Sequence, residues 1–272
     1  MFNNYILKRR GLTFPWLSLD TEENYQELQC NDQPNYSKDS FDYKFNSDGF
    51  RSDSFSEKAD LPILFMGCSF TEGIGLPINK IWANLLLDDI KKLPQNLNKN
   101  IPFFSLAVGG SGLDTEARYL YKFCKKIKPK YIFYLLSSFY RRDYAYDNIY
   151  LDYWIPNKEV NKEVELLFSS EEFAYHQSYR SLCTIDALAD YNDSKVVIFV
   201  LDFEKKFFSY DGEFSNITFC PIANQNLTVG RLARDNMHPG EMWHSSVKNY
   251  MQEYINTRDD LKEDLCLPFI MP

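Results

Sequence analysis

The apolar positions of this chain change rhythm near Asp60. Up to that point the sequence is rich in Asn, Asp, Ser, Tyr and Gln, and it sustains neither a 3.6-residue nor a two-residue period, so residues 1–60 read as an irregular arm. Beyond it, continuous apolar runs alternate with amphipathic ones. LPILFMG, IPFFSLAV, KYIFYLLS and KVVIFVLDF read as strands, with ITFCPI as a short fifth. INKIWANLLLDDIKK, LDTEARYLYKFCKKIK, SYRSLCTIDALADYN and GEMWHSSVKNYMQEYI read as helices. Strands that are apolar on both faces belong to a parallel sheet covered on either side, so residues 61–272 are expected to form an α/β domain. In such a sheet ligands gather beyond the carboxyl ends of the strands, where Ser69, Gly109 to Gly112 and Ser137 fall.

Composition narrows the partners. A chain of 272 residues with 44% hydrophobic content can bury a full core and still carry an extension. A formal net charge of −8, with acids spread along the chain, argues against a nucleic-acid partner. The opening MFNNYILKRRGLTFPWLSL has basic groups but no apolar run long enough for export or for crossing a membrane, and the expectation is a protein made in the cytoplasm without a signal peptide. Six cysteines stand far apart, unlike the close pairs of zinc sites, and read as reduced, mostly buried thiols; no metal or organic cofactor is expected.

The stretch LFMGCSFTEGIG, Leu64 to Gly75, carries the chemistry. A serine hydroxyl is a weak nucleophile and needs a base beside it and N–H donors for the oxyanion that forms. A serine between a strand end and a helix start meets the second need, because free backbone N–H groups cluster there. Ser69 occupies such a position, with Gly67 to turn the chain, although the same residues would serve as an ordinary strand-to-helix turn. The G-x-S-x-G turn of α/β-hydrolases does not fit, since Thr71 stands where its second glycine would be.

The base must come from His176, His238 or His244, the three histidines present. In RDNMHPGEMWH, Asp235 precedes His238 by three residues, and Pro239-Gly240 follows at the opening of a helix. That spacing sets a carboxylate and an imidazole on one turn, where the carboxylate can fix the tautomer of the ring. His244 and His176 read as structural or surface residues.

With these residues the chain resembles the SGNH or GDSL hydrolase family. Its first block, G-D-S-x-T, is matched by GCSFT at Gly67 to Thr71 with Cys68 in the Asp position, and its last block, D-x-x-H, by Asp235 and His238. FFSLAVGGSGLDT resembles the second block, and NSDGFRSDSF, Asn46 to Phe55, the lead-in to the first. The resemblance implies a three-layer α/β/α sandwich of flavodoxin-like type with a mainly parallel sheet. It also implies a Ser69, His238, Asp235 triad with the N–H groups of Ser69 and Gly110 as oxyanion donors. One block departs. The third, G-x-N-D, falls at LLSSFYRRD, where Phe139 holds the Asn position and leaves Ser138, Arg141 or Arg142 as substitutes for its side-chain donor. Arg141 and Arg142 also read as a solvated charge pair.

Residues 139–177 are expected to form an aromatic-rich insert over the site. Tyr140, Tyr144, Tyr146, Tyr150, Tyr153 and Trp154 would make a flat wall suited to sugar rings, or would equally pack the insert itself. Tyr140 and Tyr144, with Ser138 and Arg141, make the expected substrate-binding set. The implied activity is hydrolysis of a small ester, an O-acetyl group on a carbohydrate being the substrate class expected. The rival reading is a catalytically weak or inactive SGNH fold serving as a structural or binding subunit, for example of a virus particle or surface assembly. In an enzyme the arm is expected to pack in cis, with Asn46 to Phe55 beside the first strand. In a structural subunit residues 1–60 are expected to reach an assembly partner or a second copy.

Overall fold

An apolar strand stays buried only if helices cover both of its faces, and this chain supplies them in alternation. The computed structural model describes residues 4–28, 36–136, 138, 141–146, 150–154, 170–201, 210, 212–222 and 232–265. The arm holds α1 (Asn4–Leu7), β1 (Thr13–Phe14), α2 (Glu22–Leu28) and β2 (Tyr43–Lys44), with β1 antiparallel to β2. Then follow β3 (Ile63–Gly67), α3 (Ser69–Glu72), α4 (Trp82–Lys91), β4 (Phe104–Ser105), α5 (Leu113–Ile127) and β5 (Tyr131–Leu135). A hairpin of β6 (Arg142–Tyr146) and β7 (Tyr150–Trp154) precedes α6 (Glu171–Asn192), and β8 (Lys195–Leu201), β9 (Ile217–Ile222), α7 (Glu241–Thr257) and α8 (Asp259–Leu265) complete the described chain.

The main sheet is parallel throughout, in the order β4-β3-β5-β8-β9. Period-two alternation divides its side chains between two cores. Leu64, Met66, Ile132, Tyr134, Val196 and Ile198 pack with α5 and α6 on one side, whereas Ile63, Phe65, Phe133, Leu135, Val197 and Phe199 pack with α4, α7 and α8 on the other. This is the expected α/β sandwich, in the flavodoxin-like strand order. The chain leaves β3 for one neighbour, β4, and returns to the other, β5, so the crevice at this switch opens beyond β3, directly before Ser69.

Two of the expected elements change in the folded chain. The run from Ile101 to Val108 forms a ladder of only two residues with β3 at the sheet edge, beyond which single bonds from Leu106 N–H to Phe65 O and from Val108 N–H to Gly67 O continue it. The helix expected from Ser178 starts at Glu171, where the Ser170 hydroxyl accepts the Phe173 N–H at 3.3 Å and two glutamates face the positive helix end. The insert expected over 139–177 therefore gives way to helix in its last residues. Cys68, Cys124 and Cys220 are buried free thiols, but Cys183 lies exposed on α6. Among the described residues no helix is long and apolar enough to cross a membrane.

The arm packs on its own domain. It lies along β4 and not, as the sequence suggests, beside β3: Asp53 N–H donates to Phe103 O at 2.9 Å, Phe103 N–H to Asp53 Oδ2 at 2.8 Å, and Ser105 N–H to Ser52 Oγ at 3.0 Å. The reason is that β3 is paired on both sides, and the free N–H and C=O groups of this side of the sheet belong to β4. Phe50 and Phe55 enter the core against Tyr119 and Phe123. Nearer the chain start, Asp20 forms an ion pair with Arg234 in which both side chains are 0% exposed. The guanidinium also donates to Pro15 O at 2.6 Å and Lys38 O at 2.9 Å, and it lies 4.3 Å from the Trp16 ring and 4.0 Å from the Phe41 ring.

Breaking such a pair leaves one charge buried alone, which costs about 3–5 kcal/mol. Urea unfolding should show a loss of that size for Asp20→Asn and for Arg234→Met, and the combination Asp20→Leu with Arg234→Met should lose less than the sum of the two single changes. Single losses below about 1 kcal/mol would mean that the arm is held elsewhere.

Candidate active site

β3 delivers the chain into a turn that only glycine can make. Gly67 has φ +145°, and a Cβ there would stand 2.3 Å from Thr71 Oγ1 and 2.8 Å from Leu135 O. After Cys68 the chain coils at once into α3, with the Thr71 and Glu72 N–H groups donating to Cys68 O. Ser69 is the first residue of this turn and is 7% exposed. The turn after β4 passes close by, since a Cβ on Gly109 would lie 3.7 Å from Ser69 Cβ. Gly109 N–H donates to Glu72 Oε2 at 2.6 Å. The Ser69 and Gly110 N–H groups are engaged by no acceptor among the described residues.

Asp235 and His238 form one unit. Their loop closes on itself through Ala233 N–H to His238 O at 2.9 Å and Asn236 N–H to Ala233 O at 2.9 Å. Inside it, Asp235 Oδ1 accepts the N–H groups of Met237 at 3.1 Å and His238 at 3.0 Å, while Oδ2 bonds His238 Nδ1. Burial pushes the Asp235 carboxyl up, but the His238 hydrogen bond and charge, together with the two backbone N–H groups, outweigh it and hold the group below the usual carboxylate range. Asp235 therefore stays ionised and accepts a hydrogen bond from His238 Nδ1–H, which leaves Nε2 as the ring nitrogen turned away from the carboxylate.

The two units are tied together. Arg234 N–H donates to Gly75 O at 2.9 Å, tying the Asp235 loop to the segment after α3. The His238 ring, 9% exposed, stands edge-on to Phe70 with centroids 5.9 Å apart, and Phe70 directly follows Ser69. The structure thus gathers Ser69, Gly110, Asp235 and His238 at one end of the sheet.

The expected substrate-binding residues fare differently. Ser138 O accepts Arg141 N–H at 3.1 Å in the turn beyond β5. Arg141 is half-buried with Nη1 enclosed, and so is not a solvated charge; its carbonyl lies 2.1 Å from where a Gly112 Cβ would be. Tyr140 and Phe139 lie outside the described residues, and Tyr144 is described as a backbone position on β6, paired with Asp152.

Two neighbours of the site, Glu72 and Glu116, escaped the sequence reading. Glu72 ties the turn at Gly109 to α3. Glu116, on α5, accepts from Ser111 Oγ at 2.7 Å and from the Tyr134 hydroxyl; burial pushes its carboxyl up to about 8, partly offset by those hydrogen bonds and by the charge of Arg141. Thr71 Oγ1 accepts Trp82 Nε1–H at 3.3 Å. The available signal was a charged residue inside an otherwise apolar turn or helix face. His176 is exposed on α6, and His244 is fully buried, where its Nδ1 accepts Trp82 N–H at 3.1 Å at the start of α4.

The sequence matches no protein-family model and no curated protein. In fold the chain is similar to solved SGNH and GDSL esterases. The psychrotrophic esterase EstA from Pseudoalteromonas sp. aligns over 72% of this chain and 96% of its own at 12% identity, with a TM-score of 0.48. TesA aligns over 72% and 98% at 13% identity, TM-score 0.49. A catalytic mutant of the acetylxylan esterase Axe2 from Geobacillus stearothermophilus aligns over 73% and 95% at 13% identity, TM-score 0.46. At such identities the likeness concerns the fold.

His244 makes a pH-dependent prediction. Burial, followed by the nearby His238 charge, pushes it from its ordinary value of 6.5 down to about 3. The unfolded chain therefore binds the extra proton between these values, so the stability is complete above about pH 6.5 and is lost as pH falls towards 3, at about 1.4 kcal/mol per pH unit. His244→Asn keeps an acceptor for Trp82 N–H and should flatten this slope in urea unfolding at pH 4 to 7. An unchanged slope would assign the acid sensitivity to other groups.

Proposed function

We propose that the protein is a serine esterase in which Ser69 is the nucleophile, His238 its general base and Asp235 the group that orients the base. The observation that supports this most directly is the Asp235–His238 pair, locked at Nδ1, on a loop bonded to the segment that follows Ser69. His238 Nε2 takes the Ser69 hydroxyl proton as Oγ attacks the ester carbonyl. The Ser69 and Gly110 N–H groups receive the oxyanion. Collapse expels the alcohol, which takes the proton from His238, and water activated by the same imidazole then releases the acid and frees Ser69.

The substrate proposed is a small ester, with an O-acetyl group on a carbohydrate as its most suitable form. The support is the aromatic-rich sequence from Phe139 to Trp154, whose rings suit the mixed C–H and hydroxyl faces of sugars. Phe139 favours a second reading, a catalytically weak fold used as a binding or structural subunit. Loss of one side-chain oxyanion donor costs roughly 10²–10³ in rate.

A fluorophosphonate probe should label the wild-type chain and fail to label Ser69→Ala. With p-nitrophenyl acetate, the losses for Ser69→Ala and His238→Ala should not multiply in the double variant, because either change already removes the activated nucleophile. Asp235→Asn should lose less than either. Labelling that persists in Ser69→Ala, or no labelling of the folded wild type, would overturn the esterase reading.

A further inference from the structure

We infer that Arg9, an arm residue distant in sequence from every group of the site, is a positioning residue for the oxyanion turn and acts through Glu72. The inference rests on the reading of Ser69 and Gly110 given above. Glu72 lies three residues beyond Ser69, and its side chain is fully enclosed. A carboxylate there needs full compensation. Arg9 Nη1 provides it at 2.6 Å, with its own side chain 3% exposed and its guanidinium 4.3 Å from the Phe45 ring. The other carboxylate oxygen accepts Gly109 N–H at 2.6 Å.

One carboxylate thus joins the arm, the short helix that starts at Ser69 and the turn after β4. The Gly109 bond fixes the peptide plane next to Gly110, which sits at φ +82°. It also selects between the two glycines: Gly109 N–H is engaged by Glu72, and the Gly110 N–H is the one left for an oxyanion. The far side of α3 is held from the arm as well, because Arg51 donates to the carbonyls of Glu72 at 3.0 Å, Gly73 at 2.7 Å and Leu76 at 2.8 Å. Without Arg9, the buried Glu72 carboxylate loses its ion-pair partner and keeps the Gly109 N–H and the charge of Arg51, which does not bond it directly. A carboxylate freed from Arg9 can turn towards water, and that movement loosens Gly109. The nucleophile and its oxyanion donor then lose their common anchor.

The test uses the full chain and three variants. Arg9→Gln removes the charge, Arg9→Lys keeps it, and Ile185→Ala opens the core at a buried position on α6 and controls for lost stability alone. All are assayed well below their melting temperatures. For Arg9→Gln, kcat on p-nitrophenyl acetate should fall about 10- to 100-fold with KM little changed, as expected when reacting groups shift by about 1 Å. Arg9→Lys should recover most of this, and Ile185→Ala should keep kcat despite a lower melt. Hydrogen exchange at the Gly109 amide should accelerate in Arg9→Gln and stay slow in Ile185→Ala. Wild-type kcat and exchange in Arg9→Gln, or an equal loss of kcat in Ile185→Ala, would overturn the inference. A wild type that neither hydrolyses the ester nor takes the probe defeats the esterase reading instead. Amide exchange then decides the role of Arg9 alone: acceleration at Gly109 that Ile185→Ala does not share upholds it, and its absence overturns it.

Discussion

The enclosed ion pair between Asp20 and Arg234 is the constraint on which the rest of this structure hangs. A guanidinium withdrawn from water is tolerable only when its donors are met, and here Nε and Nη2 reach Asp20, Nη2 reaches Pro15 O and Nη1 reaches Lys38 O. Tyr43 extends the cluster, with its hydroxyl donating to Asp20 Oδ2 at 2.5 Å and accepting Gly75 N–H at 2.7 Å. Arg234 immediately precedes Asp235, and Gly75 closes the segment after Ser69. The same set of bonds that seats the arm therefore fixes the distance between the two halves of the candidate site.

Edge protection explains the route of the arm. A parallel sheet with β4 at its margin offers unpaired backbone groups, and a second chain could bind there. Asp53 and Ser52 occupy those groups, while Phe50 and Phe55 continue the apolar core beyond the sheet margin. An arm so placed is a structural part of the domain. Its polar composition reflects the hydrogen bonds it makes to carbonyls and edge amides, and its scattered aromatic residues are the points at which it enters the core.

The site follows the same logic of buried polar groups answered one by one. Asp235 has three donors, Glu72 has an arginine and an amide, and Glu116 has two hydroxyls. Ser69 and Gly110 stand apart because their amides meet no acceptor among the described residues. Water or an anion would satisfy them, and a tetrahedral oxyanion would do so best.

What could be read from the sequence was local. Continuous apolar runs declared the parallel sheet because both strand faces are buried, and Gly67 before Cys68 and Ser69 declared a sharp turn because no side chain fits there. Asp235 and His238 were legible since three residues of one turn are enough to join them. The start of α6 was also written locally, in Ser170 followed by two glutamates, but the uneven polarity around it hid the signal. Tertiary structure alone decided that Arg9 meets Glu72 and Asp20 meets Arg234, across 63 and 214 positions of chain. No period or spacing records such a pairing. A buried charge selects its partner by where folding brings the backbone, and in sequence Arg9 and Asp20 look like any polar residues of an irregular arm.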